Sequence, residues 1–102
     1  MQKDKLEKLT KIYNNHNNTI DDLLLSLKAY KKSYKSYKEL ISYYYSEDFY
    51  QDMVDSNEGK IDKSIDQTIL SEDAIYDLLA KNIDISLELL ATANSILQDR
   101  DI

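Results

Sequence analysis

The chain has 102 residues, of which 31% are charged and 42% hydrophobic, and it carries a net charge of −6. It contains one glycine, no proline and no cysteine. That excludes disulfides and thiolate metal sites, and it leaves an all-β fold without its turn residues. The length suits one domain with a modest core. No apolar run approaches the roughly 20 residues of a membrane span. Nor does an apolar stretch follow Met1-Gln2-Lys3-Asp4-Lys5, so a signal peptide has no support and a reduced cytoplasm is the default compartment.

The first predicted element is a long helix, over about residues 3–45. Leu6, Leu9, Tyr13, His16, Ile20, Leu23, Leu27, Tyr30, Tyr34, Tyr37, Ile41 and Tyr44 follow one another at alternating steps of three and four. This is the seam of a coiled-coil-like helix, on the order of 60 Å long at 1.5 Å per residue. Asn14, Asn15, Asn17 and Asn18 surround His16, and asparagine is a poor helix former. Because the seam continues into Ile20 and Leu23, one weak turn is expected there, with a hinge as the alternative. From Tyr30 onward tyrosines replace leucines, and Lys28, Lys31, Lys32, Lys35 and Lys38 flank them with stems able to lie along the rings.

Ser46-Glu47-Asp48-Phe49 reads as a helix start, a capping hydroxyl followed by acids in the first turn. It predicts a short helix over about 47–56 that presents Phe49, Tyr50, Met53 and Val54. Asn57-Glu58-Gly59 closes it, with glycine where a left-handed residue is wanted. Residues 57–70 form a connector in which Ile61, Ile65 and Ile69 recur every four, pinned to the core or holding a helical turn. Ser71-Glu72-Asp73-Ala74 repeats the start signal, with Ser71 the expected cap and Leu70 stapling to Ile75. The last helix, about 72–98, carries two apolar stripes. One is Ile75, Leu78, Asn82, Ile85, Leu89 and Ile96; the other is Leu79, Ile83, Leu87, Leu90 and Leu97. The expected fold is all-α, an antiparallel helical hairpin or bundle. The last helix is shorter than the first, so a homodimer is expected to hide the rest of the seam.

Charge divides the chain. Residues 1–38 hold nine lysines and four acids, a net of +5; residues 39–102 hold four bases and fifteen acids, a net of −11. Attraction between the halves, within a chain or across a dimer, competes with the plainer reading of two solvated faces.

Three strings in this order resemble a known family. They are Tyr43-Tyr44-Tyr45-Ser46-Glu47-Asp48-Phe49, then Gly59-Lys60-Ile61, then Leu70-Ser71-Glu72-Asp73-Ala74-Ile75-Tyr76-Asp77-Leu78-Leu79 with Asn82 beyond. Together they resemble the core of the domain of unknown function 4298 family. The likeness covers residues 43–82, and the preceding helix agrees in length and pattern. The family tends to have Gly at the position of Tyr45, Trp at Phe49, Pro at Asp62 and Gly at Thr68. These departures touch the junctions rather than the helices. The resemblance implies an all-helical protein of bacterial or phage origin and carries no activity or functional residues with it.

Little in the chain points to catalysis. The one histidine, His16, lies in the seam, where a packed structural role outweighs a ligand or pH-sensing one, and no zinc or di-iron spacing accompanies it. Asp55-Ser56-Asn57-Glu58-Gly59-Lys60-Ile61 is a poor calcium loop. Its glycine is one position early, and Asp66 stands where a bidentate glutamate is needed. The pairs Glu47/Asp48 and Glu72/Asp73 open predicted helices, where acids favourably oppose the dipole. Lys28 to Lys38 interleaves lysine with tyrosine as single-strand binders do, but the tyrosines occupy the seam and the acidic remainder opposes phosphate. The cluster Tyr43, Tyr44, Tyr45, Phe49, Tyr50 and Tyr76 is read as core rather than ligand pocket.

No catalytic residue, cofactor or metal is therefore expected, and neither membrane binding nor direct nucleic-acid binding is favoured. The expected function is a non-catalytic protein–protein interaction module, with a homodimer and an unidentified protein as partners. Its contact residues are expected among Tyr30, Tyr34, Tyr37, Tyr44, Glu47, Asp48, Asp52, Asp55, Glu72 and Asp73. The alternative is an acidic nucleic-acid mimic of the phage anti-defence kind, because residues 47–77 hold ten acids and two lysines, a net of −8.

Overall fold

In the computed structural model, residues 2–100 are described and their regular structure is entirely helical. Three α-helices follow in order: α1 (Gln2–Tyr44), α2 (Glu47–Asn57) and α3 (Ala74–Gln98), with a 3-10 turn at Thr68–Leu70 ahead of the last. The chain divides into two units, Met1–Glu39 and Leu40–Ile102.

The first unit is α1 without its last turn. The helix passes through residues 14–18 unbroken, and Thr19 Oγ1 donates to the Asn15 carbonyl at 2.9 Å. A single helix has no second element to cover its stripe. Leu6, Tyr13 and Leu23 are accordingly 66%, 70% and 59% exposed. His16 is exposed too, so the seam histidine is not packed within this chain.

The second unit holds the core. Phe49, Leu70 and Ile75 are buried together, and Leu40, Ile41, Tyr43, Tyr44, Met53 and Ile61 pack around them. α2 and α3 both rest on the 3-10 turn, which places Leu70 between them. Local chemistry sets each junction. α1 ends as Ser46 turns extended (φ −90°, ψ 161°). Its Oγ then accepts the Phe49 N–H at 3.3 Å and so caps α2. This turn holds Tyr45 with no left-handed residue, because among the described residues Gly59 alone has positive φ.

α2 ends at Gly59, whose φ is 73°. The Lys60 N–H reaches the Asp55 carbonyl at 2.8 Å and the Gly59 N–H reaches Ser56 at 3.1 Å, the paired bonds of a Schellman ending. A side chain at Gly59 would meet no steric contact, yet the left-handed backbone disfavours any L-residue there by about 1 kcal/mol. The same bonds make residues 55–60 a helix ending rather than a cation loop.

The connector departs from expectation at Ser71. It is not the N-cap of α3; it closes the 3-10 turn instead, its N–H donating to the Thr68 carbonyl at 3.1 Å. α3 begins later, with Asp73 at the N-cap position and no side-chain cap bond. Leu70 and Ile75, the expected staple pair, are buried together in the core cluster, although with the N-cap at Asp73 they do not hold the staple positions. Of the three spaced isoleucines only Ile61 packs on the core, while Ile65 and Ile69 are 57% and 42% exposed.

Candidate functional site: the tyrosine ladder, the acidic junction and the open stripes

On α1, Tyr30, Tyr34 and Tyr37 recur at helical spacing and stack in sequence. Their ring centroids lie 6.2 Å and 5.7 Å apart. Lys38 Nζ sits over the Tyr34 ring at 5.4 Å. A lysine one turn beyond an aromatic residue can lay its stem along the ring and still keep its charge in water. The ladder thus presents a mixed aromatic and cationic surface; Tyr30 and Tyr37 are half-buried and Tyr34 is exposed.

At the α1–α2 junction the aromatic cluster splits. Tyr43 and Tyr44 meet Phe49 edge to face, at 5.5 Å and 5.1 Å. Each such contact is worth about 1 kcal/mol beyond its buried area. Tyr45, Tyr50 and Tyr76 are instead 71%, 66% and 60% exposed. They are not core, contrary to expectation, although the Tyr45 ring still meets Tyr44 edge to face at 5.1 Å.

Tyr43 Oη donates to Asp52 Oδ2 at 2.6 Å. Partial burial, this bond to a carboxylate and the nearby charges of Asp52 and Asp48 push the phenol up to about 12. The folded-state value lies above the ordinary one of 10. Tyr43 therefore contributes stability that is fully present below about pH 10 and is lost as pH rises through about 12. Tyr43→Phe should lower stability by about 1.5 kcal/mol at neutral pH, the worth of one charge-assisted hydrogen bond. The difference from the parent chain should vanish by pH 12. Thermal melts of both proteins from pH 8 to 12 check this; no gap at pH 8 would show that the bond contributes nothing, and a gap that stays constant would show that Tyr43 ionisation is not linked to folding.

The candidate acids fall into two groups. Glu47, Asp48, Glu72 and Asp73 are exposed at or beside helix starts. Asp52 and Asp55 are half-buried and engaged: Asp52 holds Tyr43, and Asp55 accepts from Gln51 Nε2 at 2.9 Å. Two further acids, absent from the expected contact set, order the connector. Asp62 Oδ1 accepts the Ser64 N–H at 2.9 Å, and Asp66 Oδ1 accepts from Thr68 Oγ1 at 2.6 Å and Thr68 N at 2.9 Å. These bonds hold both carboxyls below the usual range. The stability they add is present above the ordinary carboxylate pKa and is lost as pH falls through their lowered values. The spacing of an Asp two residues before Ser or Thr could have marked both turns in the sequence. Ser56 Oγ also donates to Gln67 Oε1, tying the end of α2 to the connector.

Along α3 burial stops early. Ile75 is 2% exposed and Leu79 and Asn82 are half-buried. Beyond them both stripes are open: Ile83 is 52% exposed, Leu87 60%, Leu90 69%, Ile96 63% and Leu97 59%. Among the described residues no group of three or more His, Cys, Asp or Glu side chains could hold a metal ion. No helix there is long and apolar enough to cross a membrane.

A family model described as Domain of unknown function (DUF4298) matches residues 6–92. No curated protein and no solved structure matches the chain.

Proposed function

This chain belongs to the DUF4298 family, and we propose that it is a non-catalytic protein–protein interaction module whose helices bind other helices. One observation carries the reading. Apolar stripes at helical spacing stand open on α1 and α3, from Leu6 at 66% to Leu90 at 69%. Stripes of this length are stable only when covered. In this reading α1 and α3 pack antiparallel in a bundle completed by further protein. Tyr30, Tyr34, Tyr37 and Tyr44 supply aromatic contact area, and the exposed acids Glu47, Asp48, Glu72 and Asp73 supply the polar rim.

The test is capture from a lysate of the native host through a C-terminal tag, with and without nuclease, read by mass spectrometry. One stoichiometric protein that survives nuclease is expected. Loss of every partner on nuclease treatment would refute the reading in favour of nucleic acid.

The exposed acids within the −8 segment 47–77 favour a second reading, a mimic of nucleic acid that occupies the basic groove of a nuclease or similar protein. Against it, Asp52, Asp55, Asp62 and Asp66 already serve the fold. Mimicry predicts binding that weakens steeply with salt and competes with DNA or RNA; affinity indifferent to both would dismiss it.

A further inference from the structure

The N-terminal stripe of α1 has a property that selects its occupant. Even if all 25 residues of α3 lay along α1, 18 of the 43 residues of α1 would remain uncovered. With α3 laid from the C-terminal end of α1, that region is residues 2–19 and holds the seam positions Leu6, Leu9, Tyr13 and His16; the seam runs on through Ile20 and Leu23, with steps of 3, 4, 3, 4 and 3. This order is the same read backwards. A reversed copy centred between Asn14 and Asn15 sets Leu6 against Leu23, Leu9 against Ile20 and Tyr13 against His16. Every layer then meets its counterpart, as a two-fold, self-complementary interface requires.

Charge agrees with the reversal and opposes a parallel pair. Residues 3–14 carry Lys3, Lys5, Lys8 and Lys11 against Asp4 and Glu7, a net of +2; residues 15–26 carry Asp21 and Asp22 without a base, a net of −2. Antiparallel pairing sets +2 against −2 at both ends. Parallel pairing would set like against like. The polar and charged side chains at positions 4, 7, 8, 11, 14, 15, 18, 21 and 22 fall outside the seam. Aligned copies would thus keep those groups in water.

We infer that the partner of this stripe is a second copy of the chain, paired antiparallel through residues 3–26 about a two-fold axis at Asn14–Asn15. The inference rests on the interaction reading above and names its partner.

The chain has no cysteine, so single-cysteine variants take one nitroxide label each. Glu7→Cys, Asn14→Cys and Asp22→Cys would be labelled in the full chain. Sedimentation equilibrium would first give the mass and pulsed electron paramagnetic resonance then the label separations. A dimer is expected. Residue 7 faces 22 of the other copy, so the labels at 7 lie about 15 residues, or about 22 Å, apart along the axis. With an interaxial spacing of about 9 Å, the pairs at 7 and at 22 should both read about 25 Å. The pair at 14 is offset by only about one residue along the axis and should read the shortest of the three.

Short distances at all three positions would mean a parallel pair and overturn the inference. So would a separation at 7 far beyond that at 22. The exposed double variant Asp21→Lys with Asp22→Lys should weaken the dimer about tenfold in low salt, with the loss fading as salt screens it; unchanged association would also overturn the register. A chain that stays monomeric overturns the second copy as partner. The interaction reading survives that result only if the monomer still takes up another protein stoichiometrically, and it falls as well if it does not.

Discussion

Ile75→Ala is expected to unfold the tertiary structure of the second unit. Among the described residues Ile75 is the most deeply buried side chain, at 2% exposure, in a core whose other buried members are Phe49 and Leu70 at 8% each. Truncating a buried isoleucine costs about 2–5 kcal/mol, since lost transfer energy adds to a cavity that neighbours fill only in part. Relaxation is limited here, because α2 and α3 are joined through the 3-10 turn that carries Leu70. A unit of this size has only a few kcal/mol to lose. The expected result is a collapse of near-ultraviolet aromatic circular dichroism, since Tyr43 and Tyr44 lose their fixed edge contacts with Phe49. Amide protection from residue 47 to residue 80 should fall with it. An aromatic signal and Tm equal to the parent's would show that the three-residue core does not hold this unit together.

Leu23→Asp is expected to have the second large effect, on association rather than on the single chain. Leu23 is 59% exposed in the structure. In an isolated helix, an aspartate there would cost only the few tenths of a kcal/mol that separate helix propensities. In a covered seam it would place an unpaired charge against Leu6 of the other copy, and twice per dimer. Association should weaken by at least about 100-fold, equivalent to about 2.7 kcal/mol. Leu25→Asp is the matched control, since Leu25 is 67% exposed but lies off the seam. Sedimentation of both variants separates the cases. Equal effects at the two positions, or none at either, would mean that the stripe is not an interface.

The helices were legible in the sequence because they depend on residues three or four apart. The unbroken seam marked α1 through its asparagines. Ser46 marked the start of α2 and Gly59 its end, each by a side chain or backbone property that needs no distant partner. The pairing of Leu70 with Ile75 was legible for the same reason, as the two residues flank one helix start.

Only the tertiary structure decided what is buried. Phe49, Leu70 and Ile75 come from three separate elements and gather in one place, whereas Ile83, Leu87 and Leu90, equally apolar and on the same pattern, stay exposed. Periodicity tells which residues share a face, but not whether anything lies against that face. Tyr43 and Tyr45 show the same limit, two residues apart in one aromatic run, one bonded to Asp52 and the other 71% exposed. At Ser71 a local signal failed outright. Ser71 was expected to cap α3, but it closes the preceding 3-10 turn, whose last residue, Leu70, lies in the core. The burial of Leu70 is a contact between separate elements that a local cap signal does not encode, and α3 began at Ala74 instead.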